Sequence, residues 1–153
     1  MSANQAQSQV SSSAMRNLRS IMRANAAWSA WVEKRCGVTG AQLNVLQELQ
    51  QEPGMRVGDL AQKLAIHQST ASNLIDGLEK RGLINKMREE SDQRVVRLQL
   101  SESAQTLLQN SPLQARGLLS QALLQMDDDS LEQLNNGLVS LMSAMESLSK
   151  LLG

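Results

Sequence analysis

Apolar residues recur at helical intervals along most of this chain, and one segment breaks that rhythm with strict alternation. From Ala14 to Arg35, Ala14, Leu18, Ile21, Trp28 and Val32 fall on one helical stripe, which Met15, Met22 and Trp31 widen. That face is too broad for a helix lying alone on a protein surface. Gly37 ends the helix. Thr39 and Gln42 have the spacing of a capping box and open a second helix carrying Leu43, Leu46 and Leu49, which Pro53-Gly54 stops. A short helix from Val57 to Ala65 then buries Val57, Leu60, Ala61 and Leu64. After a turn at Ile66 and His67, a helix from Gln68 to Arg81 repeats the spacing with Ala71, Leu74, Ile75 and Leu78. Gly82 stands where a left-handed cap belongs. Two short helices across so tight a turn predict a helix-turn-helix.

Beyond Gly82 the period changes. A strand is expected at Leu83 to Arg88, a polar loop at Glu89 to Gln93, and a second strand at Arg94 to Leu100, where Val96, Leu98 and Leu100 alternate with Arg97 and Gln99. The result is a β-hairpin with a charged tip. Ser101 caps a long helix with Leu107, Leu108, Ala115, Leu118, Leu119, Ala122 and Met126 on its apolar side, and Pro112 kinks it or begins a new segment. Asp129 and Glu132 form a further capping box. Leu131, Leu134, Leu138, Leu141, Met145, Leu148 and Leu152 then follow as a heptad seam. Each such side chain gains roughly 1.5–3 kcal/mol on burial, so the seam needs another helix to lie against. The short helix-turn-helix cannot cover both this seam and the stripe around Trp28. A homodimer built from the first and last helices is therefore expected.

The expected fold class is mainly α with a small β-hairpin wing: a winged helix-turn-helix at 38–100, with 14–37 and 101–153 as a helical dimerisation region. Its 153 residues suit one compact domain. Residues 1–13, rich in Gln and Ser, read as a disordered tail, and they lack the basic start and apolar run of a secretory signal. No run is long and apolar enough for a membrane span, and the cytoplasm is the expected location. A single cysteine, Cys36, and a single histidine, His67, leave no internal disulfide and too few ligands for a structural zinc; no cofactor is expected. No glycine-rich phosphate loop or nucleophile motif appears, which argues against an enzyme. Fifteen basic residues balance fifteen acidic ones, but the distribution is uneven. Lys80, Arg81, Lys86, Arg88, Arg94 and Arg97 outnumber Glu89, Glu90 and Asp92 between positions 80 and 97, a basic edge suited to phosphates.

The order of elements, and above all Leu78-Glu79-Lys80-Arg81-Gly82-Leu83-Ile84 followed by Asp92-Gln93-Arg94 and Leu98-x-Leu100-Ser101, resembles the multiple antibiotic resistance regulator (MarR) family of transcription regulators. The likeness extends over nearly everything after the first 13 residues. It implies a homodimer on a pseudo-palindromic operator of double-stranded DNA, with the helix matching Gln68 to Arg81 in the major groove and Arg94 in the minor groove. The residues themselves agree. With Ala71, Leu74, Ile75 and Leu78 inward, helical geometry turns Ser69, Ser72, Asn73, Asp76 and Lys80 outward and leaves Gln68 and Thr70 at the exposed first turn. Gln68 or Asn73 can bind adenine through two hydrogen bonds, and Ser69, Thr70 and Ser72 can reach bases or phosphates. Asp76 is expected to pair with Lys80 one turn on. Lys86 and Arg88 are candidate phosphate contacts, and Asp92 is expected to orient Arg94. Gly77 is a candidate for close approach to DNA. The sequence departs from the family in placing His67 at the helix start and Asn73 where an arginine is frequent.

The same resemblance implies release of DNA by a small aromatic or phenolic effector, for which Met22, Trp28, Trp31 and Val32 are the candidate contacts. Two other readings are a regulator sensing oxidants through Cys36, which follows the cations Lys34 and Arg35, and a winged-helix module that binds protein partners without reading DNA. Against the first stands the absence of tyrosine. Against the second stand Lys86, Arg88, Arg94 and the polar helix face.

Overall fold

A computed structural model describes residues 3–151 apart from 90, 93 and 112–116. The chain divides into two compact units, Met1–Leu118 and Leu119–Gly153. The first unit begins with α1 (Ala3–Cys36), which takes in residues 3–13 that the sequence suggested were disordered. The physical reason is that no glycine or proline interrupts this stretch, and extending a formed helix costs far less than starting one. Its start is mostly exposed.

The following elements lie close to their expected limits: α2 (Gly40–Gln51), α3 (Val57–Lys63) and α4 (Gln68–Lys80), then strands β1 (Ile84–Arg88) and β2 (Val96–Leu100) and helix α5 (Glu102–Asn110). The Thr39 and Gln42 capping box forms in both directions, the Thr39 hydroxyl accepting from the Gln42 N–H and the Gln42 side chain from the Thr39 N–H. At Gly82, φ is +70°, and the Leu83 N–H donates to the Leu78 carbonyl, so α4 ends in the left-handed cap that the glycine announced. Helix α3 ends two residues early for the same kind of reason. Ala65 takes φ +53°, its N–H donates to Gln62, and that of Ile66 donates to Ala61, an equivalent cap built on an alanine.

The hairpin is antiparallel, pairing Ile84 with Leu100, Lys86 with Leu98 and Arg88 with Val96. The backbone of Gly54 and Met55 bonds to Leu98 on its other side, tying the hairpin to the segment before α3. One core serves the whole unit: Val32, Val38, Leu43, Leu46 and Leu49 meet Leu60, Ile75 and Leu78, closed by Ile84 and Leu98 from the hairpin and Ala104 from α5. On the surface, Lys63 of α3 bridges Glu48 of α2 and Glu52 just beyond its end, at 3.0 and 3.2 Å.

Ser101 caps α5 by accepting from the Ala104 N–H, but this helix stops at Asn110 and α6 (Leu118–Leu124) starts after Gly117, at φ +94°. Pro112, to which the break was assigned, lies outside the described residues. In the second unit, α7 (Asp128–Ser149) is capped by Asp127, whose carboxylate accepts from the Ser130 N–H at 2.9 Å. In place of the expected capping box at Asp129 and Glu132, the helix starts two residues earlier on a single side-chain cap. Any of three consecutive aspartates can cap, and using the first lengthens the helix by about half a turn. The heptad side chains from Leu131 to Leu148 are all exposed, Leu131 and Leu134 least at 36% and Leu148 most at 62%, and Leu152 lies outside the described residues. No residue of α7 is buried.

Candidate nucleic-acid interface

Helix α4 divides cleanly into two faces. Ala71, Ile75 and Leu78 are fully buried and Leu74 half-buried, while Gln68, Ser69, Thr70, Asn73 and Lys80 are exposed and Ser72 is half-buried. The core contacts thus orient the helix, and its polar first turn is left to solvent. His67 holds the N-cap backbone position without a capping hydrogen bond from its side chain. The first backbone N–H groups of α4 consequently remain available to an acceptor from outside, such as a phosphate oxygen.

The wing carries Arg88 and Arg94, both exposed. The Asp92 Oδ1 accepts from the Arg94 N–H at 3.0 Å, which fixes the backbone of the turn that carries Arg94. Arg97, which pattern alone placed on the polar face of β2, bridges the Glu89 carboxylate and the Gly54 carbonyl, the latter at 3.1 Å. It braces the hairpin against the segment before α3.

Two sequence expectations change here. Asp76 was expected to pair with Lys80 and Lys86 to face phosphates. Instead the Lys86 Nζ lies 2.6 Å from Asp76 Oδ1 and 2.8 Å from Glu79 Oε2. The cause is tertiary, since β1 folds back beside α4 and brings a lysine between two carboxylates that share one helix face. The hydrogen bond from Lys86, and then its charge, hold the Asp76 carboxyl below the usual carboxylate range, while hydrogen bonds to Asp76 and Glu79 raise the Lys86 ammonium. Glu79 escaped the sequence reading; its signal was its place three residues after Asp76, ahead of a hairpin that must return past it. Gly77 also differs. A Cβ there would stand 3.2 Å from the Gln42 amide nitrogen, so the glycine makes room for the side chain of α2.

The effector candidates divide between core and surface. Val32 is completely buried, Trp28 and Trp31 pack half-buried against the core, and Met22 is 70% exposed. The Arg35 guanidinium lies 6.0 Å from the Trp31 ring centre. Trp28 also limits its neighbour, because a Cβ on Gly40 would come within 2.5 Å of the indole. Cys36 is a half-buried free thiol, 3.7 Å from the Ser111 hydroxyl.

Comparison with known proteins places this geometry. Residues 38–96, from the start of α2 to the first residue of β2, match the sequence model of the MarR family. A curated relative from Bacillus subtilis strain 168, the uncharacterized HTH-type transcriptional regulator YfiV, is 28% identical over 109 residues, covering 71% of this chain and 68% of the relative. The HTH-type transcriptional repressor MdtR of the same organism is 33% identical over 66 residues, 43% of each chain. Among solved structures, that of the S. aureus MepR–DNA complex superposes with a TM-score of 0.68 at 22% identity, covering 85% of this chain and 96% of that one. The fold is a winged helix-turn-helix like that of this structure, and the segment 38–96 is similar in sequence to the MarR family.

Proposed function

We propose that the chain is a transcription regulator that binds double-stranded DNA in a sequence-specific manner as a homodimer. The observation that carries this is the division of α4. Its apolar side is locked in the core and its first turn presents Gln68, Ser69, Thr70 and Asn73 to solvent, inside the segment that matches the MarR family. In this reading α4 enters the major groove, with Gln68 and Asn73 the best placed to read adenine. Ser69, Thr70, Ser72, Lys80 and Arg88 contact phosphates or base edges, and Arg94 reaches into the adjacent minor groove, where a narrow groove concentrates negative potential. The partner is a second copy of the chain, and the uncovered apolar side of α7 supports that reading because exposed leucine at that density calls for a partner. Two recognition helices then lie roughly 34 Å apart, on successive major grooves of a pseudo-palindrome.

Repression by occupying a promoter, in the cytoplasm, is the output this architecture performs most directly; MdtR is named a repressor and MepR was solved with DNA. Release by a small aromatic or phenolic effector completes the reading. Trp28, Trp31 and Met22 are its candidate contacts, with Val32 behind them in the core. An effector that prefers a dimer of different helix spacing lowers DNA affinity by shifting populations.

Selection of bound duplexes from fragmented genomic DNA, followed by titration at several salt concentrations, tests the function. Enrichment of one inverted repeat with a steep salt dependence is expected. Weak binding without sequence preference would favour the protein-interaction module instead. Titration of small aromatics against the indole fluorescence of Trp28 and Trp31 tests the effector.

A further inference from the structure

We propose that Lys86 is a strut that sets the angle between the wing and the DNA-reading helix, a positioning residue and not a phosphate contact. This rests on the DNA-binding function proposed above. Lys86 stands in β1 opposite the buried Leu98, so its stem lies over the packed base of the hairpin while its ammonium crosses to α4. There it meets Asp76 at 2.6 Å and Glu79 at 2.8 Å. Held by two carboxylates, the ammonium is already compensated and has little charge left to offer a phosphate. To touch a phosphate, Lys86 would first have to leave both partners. Its raised affinity for the proton, and the lowered affinity of Asp76, agree with an engaged pair.

The geometry also says what the strut controls. From Lys86 the hairpin runs through Arg88 to the tip, where Asp92 fixes the Arg94 backbone, and it is braced at β2 by Arg97 against Gly54. With both of those contacts internal to the wing or behind it, the described ion pairs from the hairpin to α4 are the two made by Lys86. The reach of Arg94 relative to the first turn of α4 therefore depends on Lys86. Major-groove and minor-groove contacts are coupled at fixed spacing, and DNA of the wrong groove geometry cannot satisfy both.

The test uses the full chain and the duplex that the wild-type protein itself selects. Lys86→Met keeps the stem and removes the charge. Exposed ion pairs are individually weak, so an affinity loss of about threefold to tenfold is expected. The slope of affinity against salt stays unchanged. Hydroxyl-radical protection of the minor groove at the wing weakens while guanine methylation protection under α4 persists, and Lys86→Arg restores the wing footprint. The double variant Asp76→Asn with Glu79→Gln loses the same footprint, although removing two negative charges should by itself tighten DNA binding. In the free protein, amide exchange across residues 96–100 is faster in Lys86→Met than in wild type. A salt slope reduced by roughly 0.9 with both footprints weakened evenly would make Lys86 an ordinary phosphate contact and overturn the proposal. An unchanged footprint with unchanged amide exchange would overturn it too. If the wild-type chain selects no duplex, the DNA-binding reading fails instead, and amide exchange alone decides whether Lys86 holds the wing.

Discussion

A Cβ on Gly77 would lie 3.2 Å from the side-chain nitrogen of Gln42, and that side chain is held in place by the Thr39 N–H at its other end. Helix α4 thus carries a glycine at the cost of about 1 kcal/mol in helix propensity because the Gln42 side chain of the α2 capping box occupies the space beside it. Gly77→Ala is expected to lower stability by about 0.5–1 kcal/mol despite the better propensity, since the added methyl strains the capping box. In the Gln42→Ala background the same substitution becomes stabilising. Urea denaturation of the four proteins measures the coupling, and additive effects would contradict the contact.

Ala65 adopts φ +53° in the turn of the helix-turn-helix, a conformation that costs an L-residue roughly 1–2 kcal/mol. Ala65→Gly relieves that strain and loses part of the gain to a more flexible unfolded chain, so stability rises by at most about 1 kcal/mol. Ala65→Val, with a branched Cβ, is expected to cost about 1–2 kcal/mol. Thermal unfolding midpoints should rank glycine at or above alanine, and valine below.

The ion pairs at Lys86 carry a pH signature. Asp76 binds its proton more weakly in the folded chain, so its contribution is present above the unfolded-state value, near pH 4, and disappears as pH falls through the lower folded value. Lys86 binds its proton more tightly, so its contribution is present below about pH 10 and is lost as pH rises through the folded value. Stability curves of wild type and Asp76→Asn should therefore separate at neutral pH and converge in acid. Curves of wild type and Lys86→Met should converge in strong alkali.

Arg94 is exposed and its backbone is held by Asp92. Arg94→Ala should weaken binding to the selected duplex and flatten its salt slope by roughly 0.9, the loss of one phosphate-neutralising charge. Asp92→Ala should weaken binding with an unchanged slope, since it frees the turn and removes no cation. A protein-binding module without DNA function would be indifferent to Arg94→Ala.

The apolar side of α7 predicts association. Leu138 and Leu141 are each 40% exposed in the single chain. Placing a charge there, as Leu138→Glu, should convert a dimer to monomer in sedimentation experiments, because a carboxylate buried against leucine is expensive. Unchanged sedimentation would remove α7 from the interface.

Local chemistry was legible in the linear sequence. The Thr39 and Gln42 box, the glycine cap at Gly82, the alternation of Val96, Leu98 and Leu100, and the apolar spacing of α4 all depend on residues within a few positions of one another. Their physics is therefore complete in the sequence, and it was enough to place the polar turn of α4 and Arg94. What required the tertiary structure were relationships between elements: Lys86 between Asp76 and Glu79, Gly77 against Gln42, Arg97 against Gly54. An unpaired charge or an isolated glycine looks the same along the chain whichever neighbour folding brings to it. The extent of α1 and the choice of Asp127 over Asp129 as a cap fall between the two. There several local solutions differ by less than about 1 kcal/mol, and the pattern of residues alone does not choose among them.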